Sequence, residues 1–236
     1  MVDPSETEVQ IAEGLTGRVD MSSESEDSSS DSSSNSEESL GSQIVKKFQK
    51  SVFDKRDFLP VGCIDTLITE SNVIKELAFT QEEMKESSSI KVLNFVLMEG
   101  KNIFAIILIV GLKGKDLRKA LNQFRRSKFG DASLPITDEI KNQLPFLGVP
   151  AKKPWDDVLI RRFCEEQWLF LSPVFSEEKL NLQLHANDVL PFICQDDDVK
   201  SGAFGEVHQV TVHPSHQENP ILTVRFFFSF PLSDHP

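Results

Sequence analysis

Through the middle of this chain apolar residues recur at intervals of three and four, and towards its end they alternate with polar ones. The first spacing is that of a helix face and the second that of a half-buried strand. Ile64, Leu67 and Ile68 form one short apolar face. Ser71 reads as the N-cap of a helix over 72–79 with Ile74 and Leu77 inward. The serines at 87–89 read as the cap of a helix over 90–98, showing Val92, Leu93, Val96 and Leu97 to a core. Residues 102–112 are apolar all round, as in a helix at a domain centre. Their Ile and Val would also suit a strand; length and neighbours favour the helix.

Beyond Gly114, an amphipathic helix is expected over 116–126, with Leu117, Ala120, Leu121 and Phe124 on one side. Residues 130–154, rich in Pro and Gly, read as an irregular surface connection. A last helix over 156–170 carries Ile160, Phe163, Cys164 and Trp168, and Pro173 closes it. From Leu184 the period is two. Strands are expected over 208–212 and 221–226, joined by a polar loop at 213–220. So small a sheet needs the helical part to pack against. The fold class expected is α+β: a disordered acidic tail over 1–42, a mainly helical domain over 43–183, and a small antiparallel sheet over 184–236.

Charge sharpens that division. Residues 1–42 hold eleven Asp or Glu against one Arg, a net of −10 out of the chain's −12. Residues 22–39 contain no apolar side chain, so nothing there offsets the entropy of ordering. Ser23, Ser28 and Ser34 each have an acidic residue three positions on, the spacing an acidophilic kinase modifies. A solvated bristle with no partner is the plainer reading. Three scattered cysteines give no disulfide framework and suit a reducing compartment. The N-terminus has neither a secretory nor a transit pattern, and the longest apolar run is far short of the about 20 residues of a spanning helix. A soluble intracellular protein, cytoplasmic or nuclear, is expected.

Candidate chemistry sits late in the chain, in V-K-S-G-A-F-G-E-V-H-Q-V from Val199 to Val210. Glycines between two strands let backbone amides approach a phosphate where a side chain would collide. Gly202 and Gly205 take the second and third glycine places of a G-x-G-x-F-G-x-V loop, Ala203 and Phe204 form its tip, and Val199 and Val207 flank it. Lys200 stands at the first glycine place and would crowd the loop. A Rossmann reading fails, because that motif opens a helix and here a strand follows.

Together with W-D-D (Trp155 to Asp157), E-Q-W-L-F-L-S-P-V-F-S (Glu166 to Ser176), L-P-F (Leu190 to Phe192) and V-T-V-H-P-S-H-Q (Val210 to Gln217), the loop resembles a family of protein-kinase-domain proteins from filamentous fungi. The resemblance spans roughly 46–217 and is specific from about Trp155. It implies a helical region ahead of a kinase N-lobe, with ATP beneath the loop and transfer to protein Ser or Thr in full-length relatives. There a strand lysine grips the α- and β-phosphates; here L-T-V-R puts Arg225 in its place. Arginine keeps the charge and changes the geometry. The implied cofactor-binding set is Val199, Gly202, Ala203, Phe204, Gly205, Val207 and Arg225. No H-R-D or D-F-G triplet occurs in the 236 residues, so no catalytic residue is assigned. ATP is expected to bind this chain weakly or not at all, with Mg²⁺ only in full-length relatives. The alternative is a non-enzymatic module that binds a protein partner and keeps the loop as a relic.

Three other features have plainer readings. His208, His213 and His216 match no zinc spacing and read as surface imidazoles on a turn. Cys164, beside Glu165 and Glu166, reads as a structural thiol. Lys113, Lys115, Arg118, Lys119, Arg125, Arg126 and Lys128 read as a solvated helix face, with neither nucleic acid nor membrane as partner.

Overall fold

The computed structural model describes residues 38–148, 150–176, 184–195, 200–202, 205–218 and 224–228. Its first helix, α1 (Leu40–Val45), is capped by Ser39, whose Oγ accepts from the Ser42 N–H. Leu40 and Ile44 are buried, so the helical body takes in residues that the sequence placed in the acidic tail. Two short strands follow, β1 (Gln49–Lys50) and β2 (Asp57–Phe58), paired antiparallel. This hairpin was not expected inside a stretch dominated by helical periodicity; strands of two residues are too short to show a period.

Helix α2 (Cys63–Leu67) buries Ile64. Helix α3 (Glu70–Leu77) starts two residues before the expected place, because Thr69 rather than Ser71 is the cap and accepts from the Asn72 N–H. Ala78 ends it in the left-handed conformation, at φ 47°. Helix α4 (Ser87–Glu99) takes the three serines into its first turn and buries Phe95 besides Val92, Leu93 and Val96. Gly100 then turns the chain by 103° into α5 (Lys101–Ile109). Among the described residues no single helix is long and apolar enough to cross a membrane.

Helix α5 buries every residue from Ile103 to Leu108 and is the hub: α1, α2, α4, helix α6 (Gly114–Arg126) and helix α8 (Asp157–Glu166) all pack on it. Helix α6 buries Leu117, Ala120, Leu121 and Phe124, the four positions its periodicity marks. The stretch 130–154 is not a surface wrapping. It contains α7 (Asp138–Gln143) and sends Ile136, Leu144, Phe146 and Leu147 into the core. Gln167, buried after α8, holds this stretch in place: its Oε1 accepts from the Ile136 N–H at 2.7 Å and its Nε2 donates to the Ile136 carbonyl at 3.1 Å. A side chain that pairs both backbone groups of one residue satisfies them as a strand neighbour would.

The last layer is a sheet of β3 (Phe192–Gln195), β4 (Lys200–Gly202), β5 (Gly205–Val212) and β6 (Val224–Phe228), all antiparallel to β5. Strands β3 and β4 meet opposite halves of β5, and β6 overlaps both pairings at Val210 and at Glu206–Val207. Strands β3 and β4 therefore share one side of β5, and β6 takes the other. Mixed helix and antiparallel strand agrees with the expected α+β class. The helical residues share one large core, while Phe175, Phe192, Val210 and Val212 form a second, smaller one against Val52 and Phe53 of the hairpin.

Candidate functional site

The sheet meets the helical body through the β1–β2 hairpin. The Val52 N–H donates to the Phe192 carbonyl at 2.8 Å, and the Phe53 ring stands edge-on to Phe192. Arg56 donates to the carbonyls of Asn187 and Asp188 at 2.9 and 2.6 Å, tying down the segment that leads into β3. Four backbone groups in this region, the Val52 amide and the Phe192, Asn187 and Asp188 carbonyls, thus find partners.

At the far end of the ribbon Gly202 pairs with Gly205. Ala203, Phe204 and Val199 lie outside the described residues. Glycine at both paired positions removes the side chains that would block an approaching ligand.

Register decides which positions share a face, since directly opposed residues of an antiparallel pair lie on the same side of the sheet. Lys200 opposes Val207, which opposes Phe227, while Gln209 opposes Arg225. Positions 200, 202, 205, 207, 209 and 225 therefore lie on one face. The other face contains Val210 and Val212, buried in the second core, whereas Thr211, between them, is exposed. The candidate residues thus occupy the side of the sheet turned away from the helical body. Lys200 stands in the same face as Arg225, two strands across and two positions along. That arrangement puts two cation-bearing positions around two glycines and a valine, a set able to hold a phosphate-rich ligand through backbone N–H groups and charge.

Of the three histidines near this sheet, His213 and His216 are not the surface imidazoles expected. His216 is 1% exposed, packed edge-on against the buried Phe58 ring at 5.5 Å. Its Nδ1 faces the Pro173 carbonyl at 3.0 Å and so carries the proton of the neutral ring. His213, half-buried, accepts from the Ser215 N–H at its own Nδ1. Burial lowers the pKa of both; for His216 the carbonyls of Pro173, Leu59 and Ser172 pull against that cause and the His213 charge adds to it. Their i, i+3 spacing on a proline-bearing turn was the available signal, and Phe58, far away in sequence, was the part that could not be read.

A groove of about 830 Å³ lies elsewhere, between α7, α8 and the hairpin, with Ile160, Cys164, Trp168 and Val189 among its walls. Burial pushes the Cys164 thiol up, reinforced by the Asp138 and Glu165 carboxylates, so the thiol stays protonated and poorly nucleophilic. Lys141, whose charge pulls the thiol the other way, is paired with Asp138 at 3.0 Å.

No protein-family model matches the chain, and no curated protein and no solved structure matches it either.

Proposed function

We propose that the outer face of the β3–β6 sheet covers a nucleoside triphosphate, as the upper lobe of a protein kinase does, and that the chain is similar to the front part of such an enzyme. The register carries this reading: it gathers Lys200, Gly202, Gly205, Val207 and Arg225 on one face, opposite the face that bears Val210 and Val212 of the smaller core. In this arrangement the amides at Gly202 and Gly205 approach the phosphates, Val207 lies against the base, and Lys200 and Arg225 supply the opposing charge. Mg²⁺ would accompany the nucleotide. The sequence has no H-R-D or D-F-G triplet to orient a hydroxyl or hold the metal, so the 236 residues bind nucleotide without transferring phosphate.

One strand ribbon makes few contacts, and an affinity in the millimolar range, about −4 kcal/mol, is expected for ATP. Equilibrium titration of the full chain with a fluorescent ATP analogue tests this, with unlabelled ATP as competitor. The reading requires competition by ATP, loss of binding in Arg225→Ala and Lys200→Ala, and a fall in affinity with rising salt. Unchanged binding in both variants would refute it. Labelled phosphate transferred to a generic protein substrate by the purified chain would refute the division between binding and transfer.

A further inference from the structure

We propose that His216 is a latch that fastens the sheet to the helical body while its ring is neutral and releases it on protonation. The latch is independent of whether the outer face of the sheet binds nucleotide.

The turn Pro214–His216 is the point where the chain between β5 and β6 reaches back to the body. Here the Phe175 N–H donates to the His216 carbonyl at 2.8 Å and the Glu218 N–H returns a bond to the Phe175 carbonyl at 3.0 Å. Phe175 and Gln217 form a parallel bridge. Between these backbone bonds the His216 ring is inserted against Phe58, itself fully buried, with His213 edge-on to both rings. Nδ1 donates to Pro173, while Nε2 is buried with no hydrogen-bond partner among the described residues. A second proton would go onto Nε2 and place a full charge against the Phe58 ring, where the Leu59 and Ser172 carbonyls offset only part of the cost of burial without a counter-charge.

Among the described residues, none of the elements around the ring supplies one. Strand β2 and its exit bring Phe58 and Leu59; Asp57 on that strand is exposed and lies 3.9 Å from Lys50. The segment after α8 brings the Ser172 and Pro173 carbonyls. The turn itself brings His213, whose charge would repel, and Glu218 beyond it is exposed. Burial holds the pKa of His216 below its ordinary 6.5, and that of His213 as well. The sign follows. A ring whose docked pKa is depressed contributes its full stabilisation above about 6.5, and loses it as pH falls through the window between that value and the docked pKa. In that window each unit of pH raises the undocked fraction by up to about tenfold per histidine.

Release would uncover the small core of Phe175, Phe192, Val210 and Val212 and leave the helical core closed. Native-state hydrogen exchange on the full chain at pH 8 and pH 5, corrected for intrinsic rates, tests this. The latch requires that Val210 and Val212 amides lose protection at pH 5 while Ile106 and Ile107 in α5 keep theirs. Replacing the ring by one that cannot titrate, His216→Phe, should flatten most of the pH dependence, and His213→Gln should remove only part. Equal loss of protection in both layers, or an unaltered pH profile in His216→Phe, would overturn it. Should that variant not fold, the ring proton resonances of the unaltered chain give the answer, because a His216 titration midpoint at or above 6.5 would overturn the proposal too.

Discussion

Asp131 reaches across to the start of α5, where its two carboxylate oxygens accept from the Asn102 and Ile103 N–H groups at 2.9 and 3.0 Å. These are amides that a helix start leaves without internal partners. Gly130 makes the reach possible: a Cβ there would lie 2.7 Å from the Glu99 carbonyl oxygen, which is backbone and cannot swing aside. Gly130→Ala should cost about 1–3 kcal/mol of unfolding free energy in urea, through displacement of the cap. Asp131→Ala should cost about 1–2 kcal/mol, the usual loss for a helix cap. Burial raises the Asp131 pKa, with the helix N–H groups and Lys101 pulling against it. A raised carboxyl favours the folded state most at low pH and loses that contribution as pH rises. The cost of Asp131→Ala should therefore be larger at pH 4 than at pH 7, and a cost that grows with pH would contradict this assignment. The sequence offered no sight of the cap, because donor and acceptor are 28 and 29 positions apart and neither lies in a recognisable capping pattern.

At the scale of elements, α6 was the easiest to read, since one strong amphipathic period names its buried face and nothing nearby competes. Helix α5 was legible through composition alone: a segment apolar all round belongs in the middle. The stretch 130–154 failed because Pro and Gly mark turns but do not say whether the residues between them go in or out. There Phe146 and Trp155 join Phe124 and Phe163 in one aromatic cluster, with ring centroids 5.0 to 5.8 Å from Phe124. Phe124→Ala should cost about 3–5 kcal/mol, at the upper end for core truncations, and shift the emission of the adjacent Trp155 to the red. A loss under about 1 kcal/mol would mean that the stretch does not depend on this cluster. Gln167→Leu, which leaves the Ile136 amide and carbonyl without partners, tests the same connection from its other end. It should cost about 1–3 kcal/mol per unpaired group.

For the molecule as a whole, the uneven size of the two cores sets the hierarchy of stability. The helical core includes every helix from α1 to α8 except α7, whose Ile140 packs on it half-buried, whereas among the described side chains the smaller core has four buried apolar residues, Phe175, Phe192, Val210 and Val212, and their hairpin neighbours. Sub-global opening draws on the region with the smaller buried area. Phe192→Ala should therefore uncouple the layers, lowering protection in β5 while α5 keeps its own, and a single shared loss would show instead that the two fold as one cooperative unit. The face of the sheet that the glycines occupy was partly legible in the sequence, through G-x-x-G between two alternating runs. Which face they occupy was not, because a one-residue change of register exchanges the two sides. The acidic segment with Ser23, Ser28 and Ser34 lies outside the described residues, as do residues 221–223 of the last expected strand. The most direct test of the central proposal is an amide chemical-shift map of the full chain titrated with Mg·ATP. Shifts concentrated at Lys200 to Val207 and at Arg225, saturating in the millimolar range, are the predicted result. Shifts absent there, or confined to the lysines of α6, would contradict it.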